Sequence, residues 1–150
     1  MLSSIYNYRQ LQPELATSGQ PDEGELSAIA EAGYEVVLNL ALHDDPRYSL
    51  PDEEATVKAL GMRYVHIPVR FECPTINDLA RFYLVMEENK NAKLWVHCAA
   101  NKRVSVFLGL FWHLCKDVPL EQAFALQRDI WEPDEVWVKF IDQALVRSEA

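Results

Sequence analysis

The segment Trp95-Val96-His97-Cys98-Ala99-Ala100-Asn101-Lys102-Arg103-Val104-Ser105 leads from one apolar run, through a short polar stretch, into a longer apolar run. The first, Lys93 to His97, has the length of a buried strand. The second, from about Arg103 to Cys115, is apolar on nearly every side and reads as a buried helix. A strand feeding a helix through a short loop is the repeating unit of an α/β fold. In such a loop successive backbone N–H groups can converge, and the helix N-terminus adds positive potential. That arrangement cradles an anion, with Cys98 at its base. The same field favours the thiolate, the nucleophilic form of cysteine. Lys102 and Arg103 add positive charge beside it.

The alternation extends outward from this unit. Pro21-Asp22-Glu23 opens a helix with acids in its first turn, Leu26, Ile29 and Ala30 share one face, and Gly33 stops it. Glu35 to Leu40 follows as a buried strand. Pro51-Asp52-Glu53-Glu54 opens a second helix, Gly61 ends it, and Arg63 to Ile67 is the next strand. Thr75-Ile76-Asn77-Asp78 resembles a capping box, ahead of a helix that turns Leu79, Phe82, Tyr83 and Met86 inward. After the buried helix come another from about Leu120 to Ile130 and a last one from near Asp134, with Val136, Trp137, Phe140, Ile141 and Leu145 facing in. The opening stretch, to Gly19, is assigned no element. The expected fold is α/β and three-layered, a mostly parallel sheet of four to five strands flanked by helices, in one domain over residues 1–150. In such sheets ligands bind beyond the carboxyl ends of the strands, here the loops after Leu40, Ile67 and His97.

Composition narrows the partners. With 49% hydrophobic and 25% charged residues the chain builds one real core. A net charge of −9 argues against nucleic acid or an anionic membrane, both of which demand surplus Lys and Arg. The longest apolar run, Val104 to Leu114, is too short to span a bilayer. The opening residues lack a signal-peptide pattern, so a cytoplasmic location is expected. The three cysteines, Cys73, Cys98 and Cys115, have no metal-like spacing and are expected as thiols. His43-Asp44-Asp45 reads as a solvated turn rather than a metal site. His113 and Cys115 read as packing residues, and Trp112, Trp131 and Trp137 as core.

His97-Cys98, followed by Ser105, resembles the signature of cysteine-dependent protein-tyrosine and dual-specificity phosphatases. The order Asn39-Leu40, then Tyr64-Val65-His66-Ile67-Pro68, then a helix, agrees with it. Thr17-Ser18-Gly19-Gln20-Pro21, with Ala32-Gly33-Tyr34, is similar to a small bacterial phosphatase-like branch, whose relatives occur alone or fused to β-lactamase-like hydrolases. The resemblance implies that Cys98 attacks phosphorus to give a cysteinyl-phosphate. It implies that Ser105 hydrogen-bonds the thiolate, that His97 orients the loop, and that the amides of Ala99, Ala100, Asn101, Lys102, Arg103 and Val104 bind phosphoryl oxygens. The ligand would be a phosphorylated small molecule or a phosphoprotein, and no cofactor or metal is expected.

Two positions depart from that pattern. The arginine expected after five residues falls on Val104, with Arg103 one residue early, and Asn101 and Arg103 stand where loop glycines are usual. The loop Val69-Arg70-Phe71-Glu72-Cys73-Pro74 contains no Asp to act as general acid, leaving Glu72 for that part and Arg70 for anion contact. Cys73 is a further candidate, for a reversible disulfide with Cys98. Three readings stay open: a phosphatase, a phosphatase-fold module that binds a phosphorylated ligand or oxyanion without turnover, and a rhodanese-like sulfur or redox carrier.

Overall fold

The computed structural model describes residues 2–43 and 49–149. A 3-10 turn (Leu2–Ser4) precedes β1 (Arg9–Gln12) and β2 (Leu15–Ser18). There follow α1 (Glu23–Glu31), β3 (Val36–Asn39), α2 (Glu53–Ala59), β4 (Arg63–His66), α3 (Ile76–Glu88), β5 (Leu94–His97) and α4 (Lys102–Lys116). Three helices close the order, α5 (Leu120–Ala123), α6 (Ala125–Ile130) and α7 (Glu135–Glu149). The five strands form one sheet in the order β1-β2-β5-β3-β4. Only the β1–β2 pair is antiparallel. The α/β architecture expected from the alternation is therefore the one observed.

The two-residue period of the strands sorts their side chains between two apolar layers. Leu15, Val36, Leu38, Leu94 and Val96 pack with residues of α3, α4 and α7, among them Phe82, Phe107 and Trp137. Ala16, Val37 and Trp95 point the other way, onto Leu26, Ile29 and Val57 of α1 and α2. Asp22 and Glu25 start α1 with a reciprocal capping box, and Thr75 caps α3 by accepting the Asp78 N–H.

Four expectations change. The opening stretch contains the β1–β2 hairpin, whose second strand ends on two buried polar residues, Thr17 and Ser18. Both are satisfied by specific hydrogen bonds, from Asn101 Nδ2 and Trp95 Nε1, so no apolar pattern marks the strand. The helix expected from Leu120 to Ile130 breaks at Phe124 into α5 and α6. On α7, Val136 is exposed, while Trp137, Phe140 and Ala144 carry the buried face. Finally, α4 is buried from Arg103 to Phe111, but Cys115 is exposed and His113 half-buried. A helix of 15 residues is about 22 Å long against about 13 Å for a strand of four, so its last turn overhangs the sheet.

Candidate active site

β5 lies between β2 and β3, and its carboxyl end delivers Cys98 to the centre of the sheet's edge. The chain then turns tightly. Ala99 O accepts the Gln20 N–H at 3.1 Å, and Ala100 O accepts Asn7 Nδ2 at 3.1 Å. Asn101 takes the left-handed conformation (φ 65°, ψ 5°), a tolerated asparagine geometry that does the work of the missing glycine. Its Nδ2 donates to Asn7 O and to Thr17 Oγ1, both at 2.9 Å. Gly19 is required beside this loop, because a Cβ there would sit 2.6 Å from Ala99 O and 2.7 Å from the Tyr6 ring. The first helical bond of α4 runs from Ser105 N–H to Asn101 O, so the N–H groups of Lys102, Arg103 and Val104 have no intrahelical acceptor.

A cleft of about 340 Å³ opens over this loop, lined by Tyr6, Phe71, Cys98, Ala99, Ala100, Lys102 and Arg103. The Arg103 guanidinium is buried in it, donating from Nη1 to Val69 O at 2.7 Å and lying 5.8 Å from the Phe71 ring. Its Nε is buried with no partner among the described residues. Val104, by contrast, is fully buried in the core beside α3 and α7. Successive helical residues are turned about 100° apart, so with α4 beginning at Lys102 the cleft receives position 103 and the core receives 104. The ammonium of Lys102 lies 5.4 Å from the Trp131 ring.

Behind the loop His97 is fully buried. Its Nε2 is 2.6 Å from Glu53 Oε2, and its Nδ1 is 3.2 Å from Cys98 O. Glu53 Oε1 accepts Gln20 Nε2 at 2.6 Å. Burial pushes the Glu53 carboxyl up, but the charge of His97 and hydrogen bonds from His97 and Gln20 override it and hold the carboxyl below its ordinary range. Nothing in the sequence separates Glu53 from Glu54, which is exposed and pairs with Lys58.

The other expected site residues divide. The Ser105 hydroxyl donates to Lys102 O at 2.6 Å and accepts Trp131 Nε1 at 3.0 Å, so its one proton is directed away from Cys98. Arg70 and Glu72 are exposed and face each other at 3.5 Å. It is Phe71 between them that lines the cleft, with its carbonyl held by Trp137 Nε1 at 2.8 Å. Cys73 is exposed, and Cys98 is buried. Tyr6 and Phe71 were legible only as isolated aromatics. The His43 ring lies tilted by 55° against that of His66, ring centres 4.4 Å apart, and its Nε2 is 3.0 Å from the Tyr64 hydroxyl. Asp44 and Asp45 lie outside the described residues, and among the described residues no group of three or more His, Cys, Asp or Glu is placed to hold a metal. No described helix is long and apolar enough to cross a membrane.

Residues 7–114 match the family model described as a DSP-PTPase phosphatase fused to NAD+ kinase. A DUF442 protein from Shewanella putrefaciens that carries a provisional phosphatase name is 30% identical. Its crystal structure superposes with a TM-score of 0.86, over 98% of this chain and 96% of that one. Two more distant structures share the fold. The core catalytic domain of the PP-IP phosphatase SIW14 from S. cerevisiae, in complex with citrate, is 17% identical with a TM-score of 0.74, over 92% of this chain and 85% of that one. TpbA from P. aeruginosa, in complex with pTyr, is 12% identical with a TM-score of 0.71, over 99% and 93%. The comparison with curated proteins gave no match.

Proposed function

The chain belongs to the DSP-PTPase phosphatase family, and on that premise we propose that it hydrolyses a phosphate monoester through Cys98. The observation that carries this reading is the buried Arg103 guanidinium, its Nε unpartnered, in the cleft above the cysteine. A buried donor without an acceptor is costly, and a phosphoryl oxygen would satisfy it. The free amides at the start of α4 and the helix dipole would hold the remaining oxygens and stabilise the charge of the transferring group. The Cys98 sulfur would attack phosphorus as the ester P–O bond breaks. Water would then cleave the S–P bond, releasing phosphate and restoring the thiolate. Membership of a phosphatase family favours phosphoryl transfer over sulfur transfer at this cysteine. The pTyr seen in one relative and the citrate in another fit a site built for anionic ligands.

Among the described residues the cleft lining contains no carboxyl. Glu72, next to Phe71 in the chain, is the candidate acid, and its turn into the cleft would supply the leaving oxygen's proton. Aryl esters, whose leaving groups need that proton least, are the substrates of choice for a first assay. Hydrolysis of p-nitrophenyl phosphate by the wild type, abolished in Cys98→Ser and reduced at least about a hundredfold in Arg103→Lys, is the expected result. Equal rates in wild type and Cys98→Ser would sink the enzyme. The same lack of a carboxyl favours the second reading, an oxyanion-binding module. It predicts vanadate or phosphate binding with no turnover of any ester.

A further inference from the structure

The cysteine loop is tethered from behind by its carbonyls. Cys98 O faces His97 Nδ1 at 3.2 Å, Ala99 O accepts the Gln20 N–H at 3.1 Å, and Ala100 O accepts Asn7 Nδ2 at 3.1 Å. The tethering residues His97, Gln20 and Asn7 are not among those lining the cleft over Cys98. In a trans peptide the C=O and the following N–H point in opposite directions. Drawing the Cys98 and Ala99 carbonyls back therefore turns the Ala99 and Ala100 amides forward, towards the cleft that both residues line.

Two of the tethers converge on one side chain. Glu53, 1% exposed, receives His97 Nε2 on one carboxylate oxygen and Gln20 Nε2 on the other, each at 2.6 Å. Both ring nitrogens of His97 thus face atoms that only accept, and both bonds form when the ring is protonated on each nitrogen. Gln20 is the residue whose own N–H holds Ala99 O, so Glu53 fixes the second tether through the side chain of the residue that makes it.

We propose that Glu53 is a positioning residue of the Cys98 loop, holding His97 and Gln20 so that the Ala99 and Ala100 amides are presented to a bound oxyanion. The inference rests on the anion-site reading above and assigns a part to a residue of α2 that touches no substrate. Glutamine at this position keeps the volume but has one acceptor and one donor group. It can satisfy His97 or Gln20, and it sets a donor against the other.

The test is vanadate affinity in wild type and Glu53→Gln, with ¹⁵N spectra of the His97 ring at pH 7 in both. We expect the wild-type ring to carry a proton on Nε2 directed at Glu53, its Nε2 resonance to move in the variant, and vanadate to bind the variant at least about tenfold more weakly while the protein stays folded. A merely structural glutamate would lower the melting temperature without separating these readouts. A folded variant that binds vanadate within about twofold of wild type overturns the proposal, as does a wild-type ring with no proton on Nε2. If Glu53→Gln does not fold, the wild-type spectrum decides. If wild type binds no vanadate, the anion-site reading fails and the oxyanion part of this proposal fails with it. A wild-type ring protonated on Nε2 would then show the Glu53–His97 tether to be real, so the two failures are told apart.

Discussion

Arg103 and Val104 exchange the parts that counting from Cys98 implies. The arginine after four intervening residues enters the cleft, and the valine after five enters the core. Val104→Arg therefore supplies no phosphate ligand. It buries an unpaired guanidinium among apolar side chains, which costs several kcal/mol. Urea denaturation is expected to show loss of about 3–5 kcal/mol of stability, with no gain in hydrolysis. A stable and more active variant would contradict the placement of position 104. Arg103→Lys keeps the charge and loses the planar fork, so vanadate affinity is expected to fall at least about tenfold with little change in melting temperature.

Helices and strands place these residues through a few tight contacts. Gly109, in the middle of α4, faces Phe124 so closely that a Cβ would lie 2.7 Å from its ring. Alanine normally gains up to about 1 kcal/mol over glycine inside a helix. Here overpacking of about 1–3 kcal/mol opposes that gain and wins, unless the ring can move aside. Gly109→Ala is thus expected to be destabilised by about 1 kcal/mol in thermal unfolding, and an increase in stability would show that the Phe124 ring yields. Gly19→Ala meets backbone at 2.6 Å as well as the Tyr6 ring at 2.7 Å. It is expected to weaken vanadate binding more than it lowers stability, since the atom displaced is the carbonyl of Ala99.

Acid sensitivity follows from groups spread across the fold. Glu53 is held below its ordinary 4.5: burial opposes this, and the His97 charge and hydrogen bonds from His97 and Gln20 prevail. A depressed carboxyl contributes stability that is present above 4.5 and lost as pH falls through its folded value. His66 lies below its ordinary 6.5 chiefly through burial, with His43 adding to the shift. The unfolded chain takes up that proton first, so its contribution is present above 6.5 and declines as pH falls. Both terms have the same sign. The urea midpoint is expected to fall from pH 7 to 5 and more steeply below 4.5, the second fall being shallower in Glu53→Gln. Equal pH dependence in the two proteins would remove Glu53 from the account.

Local patterns in the chain were enough to determine the alternation of strands and helices after the opening stretch, the helix start at Pro21-Asp22-Glu23, the cap at Thr75, and the strand–cysteine–helix loop. Each depends on the order and spacing of neighbouring residues. They also marked Cys98 and its basic neighbours, because a cysteine before a helix start is a local feature. The β1–β2 hairpin escaped notice because its second strand is held by side-chain hydrogen bonds from Asn101 and Trp95, far away in the chain. Which of positions 103 and 104 faces the cleft was decided by the residue at which α4 begins. Whether Glu53 or Glu54 is buried, and which of Arg70, Phe71 and Glu72 lines the cleft, was decided by packing between elements. Such packing acts on burial and direction, which residue type alone does not encode.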